Sequence, residues 1–550
     1  MGNFLKHVFV SLFIIPCISF AQAPPLQWLW SQGGSGDDFV NGGTETNDGN
    51  YVFSGTSTST DGDLTTTGNF GGRDGWLYKT DKNTGAILWS SHLGGASGDQ
   101  VWKVIETSNG DLAAAGNSGS SAIPGYHSST DAYVVRLNAQ GQMLWHRCYG
   151  GTGGTEGAEN ICEAKNGNLV FVGKTNTSND GDLAGIPYKG GISDIWVAEI
   201  DKNAPHNIIA GRNKLFGGSL REDFSCIVNT KDGGYIISSR TNSSNGDVAG
   251  SGYHSGDDTW VLKLDSALNL QWKKCYGGTG DDIARNIFQD TDGNYVLAGT
   301  TNTSNNGDLL GISPYGLGDY WMFKIDSGGA HGILWQKLLG GTQADFALSG
   351  AKALDGGYLI CGRSFSNDND IDTSQGAGDC WMAKLNGVNP AGPLDWVRTI
   401  GGSLYDGANW IFQSSDSGVV VGAEGNSSDG DIAGHNFHPP SGTGEESYTF
   451  KFKDTSAVTH VSDLAWAQKL RIYPIPANSF FKFEMYSESG GPAAVTIMNS
   501  MGVMVFEKNI LTAGGRGQFQ VDVSGFPAGI YCLRIMEGEK ASAVQVIVCH

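Results

Sequence analysis

The chain has 550 residues, a formal net charge of −21 and a pI of about 4.8. This acidity argues against nucleic acid and anionic membrane surfaces as partners, because both are bound through clustered lysine and arginine. Glycine is abundant, at 83 residues, which indicates many tight turns.

Residues 1–21 have the pattern of a secretory signal peptide. A basic start at Lys6 and His7 precedes the apolar residues 8–20, and Ala21 ends a small-x-small cleavage site. No other stretch is long and apolar enough to span a membrane. The sequence therefore predicts an exported protein without a transmembrane segment.

A block of about 60 residues recurs seven times between Leu26 and Asp454. Each copy carries a Gly-Gly pair. The pairs fall at residues 33–34, 94–95, 150–151, 217–218, 277–278, 340–341 and 401–402. A period of this length indicates supersecondary units that bury their apolar faces against each other.

The copy from Leu270 to Asp326 shows what one repeat contains. Four short strands are separated by Gly, Asn and Asp turns, and no segment has the apolar spacing of a helix. Seven such units predict an all-β fold, a seven-bladed β-propeller over residues 22–454, in which radial closure protects the sheet edges. An open β-solenoid is the alternative, but its coils are shorter and have less need of a tryptophan in each.

Two sets of aromatic residues mark the register of the repeats. One lies five residues before the Gly-Gly pair in six repeats: Trp28, Trp89, Trp145, Trp272, Trp335 and Trp396. The other lies in the third strand: Trp76, Trp196, Trp260, Trp321 and Trp381, with Tyr133 and Tyr448 in two repeats. A sugar-stacking platform is one interpretation. We favour rings that fill the wedge between blades, because each occupies one fixed place per repeat.

The stretch from Tyr78 to Trp89 resembles the tryptophan-docking repeat of quinoprotein propellers. In that repeat, an Asp-x-x-x-Gly turn joins the third strand to the outermost strand. The resemblance implies that Leu26–Trp28 is an outer strand without a blade of its own. We expect it to close the ring by completing the seventh blade.

Two sets of acidic loops recur. The first follows the Gly-Gly pair and carries Asp38, Asp99, Glu156, Asp223, Asp282, Asp345 and Asp406. The second joins strands two and three, and its candidate metal ligands are Asp61, Asp63, Asp180, Asp182, Asp247, Asp308, Asp370, Asp429 and Asp431. In a propeller both loops open on one face, and such oxygens are what Ca²⁺ prefers. Bonding to their own turn backbones is the alternative.

The sixty-residue period stops near Asp454. Residues 455–468 are predicted to be a linker, and residues 469–550 show alternating strands, which predicts a small immunoglobulin-like β-sandwich. This segment resembles the type A C-terminal sorting domain of the bacterial type IX secretion system. The matching residues are Tyr473-Pro474-Ile475-Pro476, Asn499-Ser500-Met501-Gly502 and Pro527-Ala528-Gly529-Ile530-Tyr531.

The resemblance implies transport by the type IX machinery to the cell surface or the medium. An ordinary adhesion sandwich is the alternative.

Enzyme signatures are absent, so no catalytic residue is assigned. Pairs of aspartates can serve a glycosidase, but here they recur in nearly every repeat. We therefore predict a non-catalytic binding or adhesion module for a glycan or protein ligand, with Ca²⁺ as a possible cofactor. The alternative is a secreted hydrolase acting on polysaccharide, which should break the repeat at its catalytic blades. Repeats three and four deviate, at residues 153–159 and 203–212.

Overall fold

A computed structural model describes residues 24–64, 69–127, 129–176, 179–371, 373–435, 444–454, 471–473, 479–487, 491–499, 504–512, 515–527, 529–537 and 540–548. The predicted signal peptide and linker lie outside these residues. The described chain contains strands and five short 3₁₀ helices, and its first 28 strands form a seven-bladed β-propeller. The all-β prediction and the blade count are confirmed.

The strands follow each other blade by blade, after a first strand β1 (Leu26–Gln32). Blade 1 contains β2 (Asp38–Glu45), β3 (Tyr51–Ser57), β4 (Asp74–Thr80) and β5 (Ile87–Leu93). Blade 2 contains β6 (Asp99–Glu106), β7 (Leu112–Ser118), β8 (Asp131–Leu137) and β9 (Met143–Tyr149). Blade 3 contains β10 (Glu156–Glu163), β11 (Leu169–Thr175), β12 (Asp194–Ile200) and β13 (Ile208–Phe216).

The remaining blades repeat this order. Blade 4 contains β14 (Glu222–Asn229), β15 (Tyr235–Thr241), β16 (Asp258–Leu264) and β17 (Leu270–Tyr276). Blade 5 contains β18 (Asp282–Gln289), β19 (Tyr295–Thr301), β20 (Asp319–Ile325) and β21 (Ile333–Leu339). Blade 6 contains β22 (Asp345–Lys352), β23 (Tyr358–Ser364), β24 (Asp379–Leu385) and β25 (Leu394–Ile400). Blade 7 contains β26 (Asp406–Gln413), β27 (Gly418–Gly425) and β28 (Glu446–Lys453), with β1 as its fourth strand.

Short 3₁₀ helices lie in five of the loops between second and third strands. They span Gly62–Leu64, Gly181–Leu183, Gly246–Val248, Gly307–Leu309 and Gly430–Ile432. The tight turn between the first and second strands of blade 5 shows why short polar residues recur there. Asp292 accepts a hydrogen bond from the backbone N–H of Asn294 at 3.1 Å, and Gly293 between them has φ +91°.

The ring closes where the sequence predicts. β1 runs antiparallel to β28, with Leu29 opposite Phe450 and Ser31 opposite Tyr448. The side-chain amide of Gln32 adds a hydrogen bond to the Thr449 hydroxyl at 2.5 Å. The seventh sheet is therefore built from both ends of the propeller chain.

The core lies between the blades. The third-strand tryptophans are fully buried, as are Tyr133 and Tyr448. The second strands are buried on both faces, as in β3, because each is covered by both neighbouring blades. These rings fill the inter-blade wedges, which confirms the packing interpretation of the repeated aromatics for this set.

The C-terminal residues form a second set of strands. They are β29 (Arg471–Tyr473), β30 (Phe480–Ser487), β31 (Gly491–Asn499), β32 (Met504–Thr512), β33 (Gly515–Asp522), β34 (Gly529–Glu537) and β35 (Lys540–Val548). One sheet has the order β29-β30-β33 and the other β32-β31-β34-β35. Phe481 and Phe483 of the first sheet share one core with Val495 and Leu533 of the second. This arrangement is consistent with the predicted sandwich.

Candidate functional site

The two acidic loop sets meet, as the sequence predicts. In blade 1, Asp63 accepts a hydrogen bond from the N–H of Gly33 at 3.2 Å, and Asp61 accepts one from Ser35 N–H at 2.7 Å. Asp182, Asp247, Asp308 and Asp370 accept the equivalent glycine N–H at 3.1 to 3.3 Å. Asp180 and Asp429 accept a backbone N–H as Asp61 does, and Asp431 accepts the amide of Gln375 at 2.9 Å.

These candidate metal ligands therefore brace one loop against the other within each blade. They are spread around the disc rather than gathered at one point. Within the described ranges, no group of three or more His, Cys, Asp or Glu has an arrangement that could hold a metal ion. Calcium binding stays a prediction.

A buried pair of carboxyl groups lies at the blade junctions, where the third strand of one blade meets the first strand of the next. Asp319 Oδ1 and Asp345 Oδ2 lie 2.7 and 2.8 Å from the point where a Cβ at Gly340 would stand. Burial, together with the charge of Asp345, raises the pKa of Asp319 to about 7. Burial at the equivalent position, the start of the third strand, raises the pKa of three other carboxyls to about 7: Asp74, Asp194 and Asp258.

Blade 4 differs from the sequence prediction at this junction. Glu222, opposite Thr241, takes the position that the sequence analysis gave to Asp223. Asp223 instead holds the guanidinium of Arg240 through two hydrogen bonds, at 2.7 and 2.9 Å. Two adjacent acidic residues are equivalent in the sequence pattern, and only the strand register separates them.

A polar cavity of about 440 Å³ opens at the centre of the disc. Each of the seven innermost strands has a β-bulge near its start, and a bulge turns a side chain away from the regular alternation. The bulged side chains line the cavity: Asn41, Trp102, Glu159, Phe224, Arg285, Leu348 and Asn409. We call them the bulge ring. Since the innermost strands start from the Gly-Gly loops, the cavity lies toward the loop face.

Residues of the second strands complete the cavity wall. Lys174, Arg363 and Glu424 occupy equivalent positions in the second strands of their blades. Each pairs with the residue two positions before the bulged residue of the neighbouring first strand. Toward the other face, the channel continues into a cavity of about 580 Å³ that isoleucines line, among them Ile161 and Ile287. The channel is therefore polar and charged at the loop end and more apolar at the other end.

Phe224 has a backbone conformation that bulky residues rarely adopt, with φ +56°. Its ring lies between two guanidinium groups, 4.3 Å from that of Arg240 and 3.9 Å from that of Arg285. Glu159 of the preceding blade accepts the N–H of Ser225, next in the chain, at 2.6 Å. Strain of this kind costs about 1–3 kcal/mol and concentrates at functional sites.

Two carboxyl groups of the cavity have raised pKa values. Burial raises the pKa of Glu424 to about 7, with a further contribution from the charge of Glu445. Glu424 accepts the amide of Asn409 at 2.8 Å. Burial also raises the pKa of Glu159, whose carboxylate is 4.0 Å from the Lys174 ammonium. Glu424 is thus a group that exchanges a proton near neutral pH.

The sequence analysis missed this cavity. The bulge ring falls seven to nine residues after the first glycine of each Gly-Gly pair, in a column where no single residue type is common to the repeats. The next column, from Gly42 to Trp410, varies as much, so variation alone could not have marked the ring. The deviation noted in repeat three, residues 153–159, ends on Glu159 of this ring.

The chain is similar to known proteins in the fold of its propeller and in the sequence of its C-terminal residues. No curated protein matches it. The solved structures it resembles include an endo-arabinase from Bacteroides thetaiotaomicron, with 12% identity over 52% of this chain and 95% of that one and a TM-score of 0.28. The NanB sialidase from Streptococcus pneumoniae shares 11% identity over 78% of this chain and 71% of that one, with a TM-score of 0.34. Likeness this low carries no argument about function.

The C-terminal comparison is more informative. Residues 471–549 match the family described as Secretion system C-terminal sorting domain. No helix among the described residues is long and apolar enough to cross a membrane. The match confirms the resemblance on which the export prediction depends. The chain therefore ends in a type IX sorting domain, and the protein is secreted or displayed at the cell surface.

Proposed function

We propose that this exported propeller is a binding module and that its ligand enters the central cavity from the loop face. The bulge ring carries the proposal. The Gly-Gly pairs and the third-strand aromatics keep their residue type from blade to blade, whereas the ring contains amides, aromatics, an acid, a base and an aliphatic side chain. Packing positions of a repeat are served by one residue type, but recognition of an asymmetric ligand needs different groups around it.

The chemistry of the cavity suits a sugar unit or a short chain end. A volume of about 440 Å³ lies within the usual range for small-molecule sites. Trp102 supplies a flat apolar face, and Asn41 and Asn409 supply amide groups. Aromatic faces with a few polar groups around them are the usual composition of such sites.

A glycan array probed with the full chain tests the proposal. The Trp102→Ala variant should bind its best ligand at least about 10-fold more weakly, the equivalent of about 1.4 kcal/mol. Trp30→Ala is the matched control, because Trp30 is a partly exposed tryptophan of the outer strand β1. Binding that both variants keep at full strength would place the ligand elsewhere on the molecule.

A polysaccharide-acting hydrolase is the second candidate. Glu159 and Glu424 are carboxyls in one cavity that the other repeats do not share, and glycoside hydrolysis uses one protonated and one ionised carboxyl group. The hydrogen bonds that Glu159 and Glu424 make to Ser225 and Asn409 favour positioning roles instead. A hydrolase substrate panel separates the two. Turnover that Glu424→Gln abolishes would replace the binding proposal.

A further inference from the structure

Arg285 has no carboxylate within ion-pair distance among the described residues, although Asp223 and Glu159 are near enough to act on its charge. Its guanidinium stacks on the ring of Phe224 at 3.9 Å, and among the described residues it makes no hydrogen bond or ion pair. Partial desolvation in the open cavity and the charges of Arg363 and Arg240 lower its pKa to about 10, while the charges of Asp223 and Glu159 oppose this shift. Arg240 differs, because Asp223 and Asp257 accept its hydrogen bonds. Arg285 thus directs unpaired donors into a cavity that holds other positive charges.

Two further cations line the same cavity without a carboxylate within ion-pair distance in the described part of the chain. Arg363 donates to the Tyr405 hydroxyl at 2.7 Å, and its charge is near enough to lower the pKa of Arg285. The Lys103 ammonium lies 3.6 Å from the centre of the Trp410 ring, and burial lowers its pKa to about 8. In a protein with net charge −21, an anion that binds here relieves this repulsion.

We propose that the central cavity selects an acidic saccharide, one whose sugar ring carries a carboxylate, and that Arg285 binds that carboxylate. The inference rests on the proposed function, since it names the ligand class of the same cavity. The planar guanidinium matches a carboxylate through two parallel hydrogen bonds. The stacking on Phe224 holds its plane, so little side-chain freedom is lost on binding.

The other groups of the cavity favour a saccharide over an acidic peptide. Trp102 presents an apolar face of the size of a sugar ring, and the amide oxygens of Asn41 and Asn409 are neutral acceptors suited to hydroxyls. Glu159 and Glu424 line the same cavity and would oppose a chain of many carboxylates. A ligand with one carboxylate among many hydroxyls suits both the cations and the carboxyl groups that line the cavity.

The test measures affinities of the full chain for an oligoglucuronate and for the neutral glucose oligomer of equal length. We expect the acidic oligomer to bind at least about 10-fold tighter, and Arg285→Gln to remove that preference, since a charge-assisted hydrogen bond contributes about a tenfold factor or more. Arg73→Gln is the matched control. Arg73 also stands over a phenylalanine, Phe39, at 5.1 Å, but outside the cavity.

The outcomes separate the two proposals. Equal affinity for both oligomers, with Trp102→Ala still harmful, would overturn the acidic class and leave the cavity as the binding site. Binding that Trp102→Ala leaves unchanged would overturn the proposed function. Competition by polyglutamate as strong as by oligoglucuronate would overturn the saccharide class. Should Arg285→Gln fail to fold, the wild-type preference between the two oligomers still decides.

Discussion

The buried carboxyl pairs make the propeller less stable as the pH rises toward neutrality. Asp319 has a pKa of about 7 in the folded protein against 3.8 for the free side chain, because it is buried and faces Asp345. A carboxyl whose folded pKa is raised binds its proton more tightly in the folded state. Its stabilising proton is therefore present at low pH and is lost as the pH rises through 7. With pKa values of about 7 in the folded and 3.8 in the unfolded chain, the contribution of Asp319 should fall by about 2.3 kcal/mol between pH 5 and pH 7.

Replacing Asp319 by asparagine tests this reasoning. The amide oxygen can still accept the N–H of Tyr315, now at 2.7 Å, and the NH₂ group can donate toward Asp345. Asp319→Asn should therefore unfold at higher urea at pH 8 than the wild type, and the loss between pH 5 and pH 7 should shrink by about 2 kcal/mol. Asp81→Asn, in a turn, is the control: hydrogen bonds from Thr84 lower the pKa of Asp81, so this carboxyl stays ionised above pH 5 and its loss should leave the profile between pH 5 and pH 8 unchanged. A wild-type profile that is flat between pH 5 and pH 8 would refute the argument.

Three further results are expected. Gly340→Ala should lower the free energy of unfolding by about 1–3 kcal/mol, measured by urea titration, because its Cβ would stand 2.7 Å from Asp319 Oδ1; an unchanged midpoint would contradict the junction geometry. Deleting residues 22–33 should lower the melting temperature sharply, since β1 completes blade 7. A deletion variant that melts at the same temperature as the full chain would refute the closure of the ring by β1. Melts in EDTA and in Ca²⁺ at one hundred times its Kd should differ by about 2.7 kcal/mol per site if the acidic loops bind it; superimposable curves would leave these carboxylates as loop braces.

Much of the architecture could be predicted because the repeat itself encodes it. The Gly-Gly pairs give the blade count, the third-strand tryptophans mark the packed wedges, and Leu26–Trp28 anticipates the closing strand. These features depend on residue types that every blade needs.

The cavity could not be predicted in the same way. A bulge depends on how two strands pair, as at Asn41 between Val40 and Gly42, and the local sequence has no residue type that marks it. The same reason explains the choice between Glu222 and Asp223. Which of two neighbouring acids faces the junction is decided by register with Thr241, a residue 19 positions away along the chain.

The closing strand also sets the order in which the molecule can fold. Gln32 bonds to Thr449, 417 positions later, so the ring cannot be locked until almost the whole propeller chain has been synthesised. Contacts of such long sequence separation slow folding, since the chain must lose much entropy before they form. Until then the edge of β28 that β1 covers is open to other chains, so the molecule is most exposed to misassembly at this one strand.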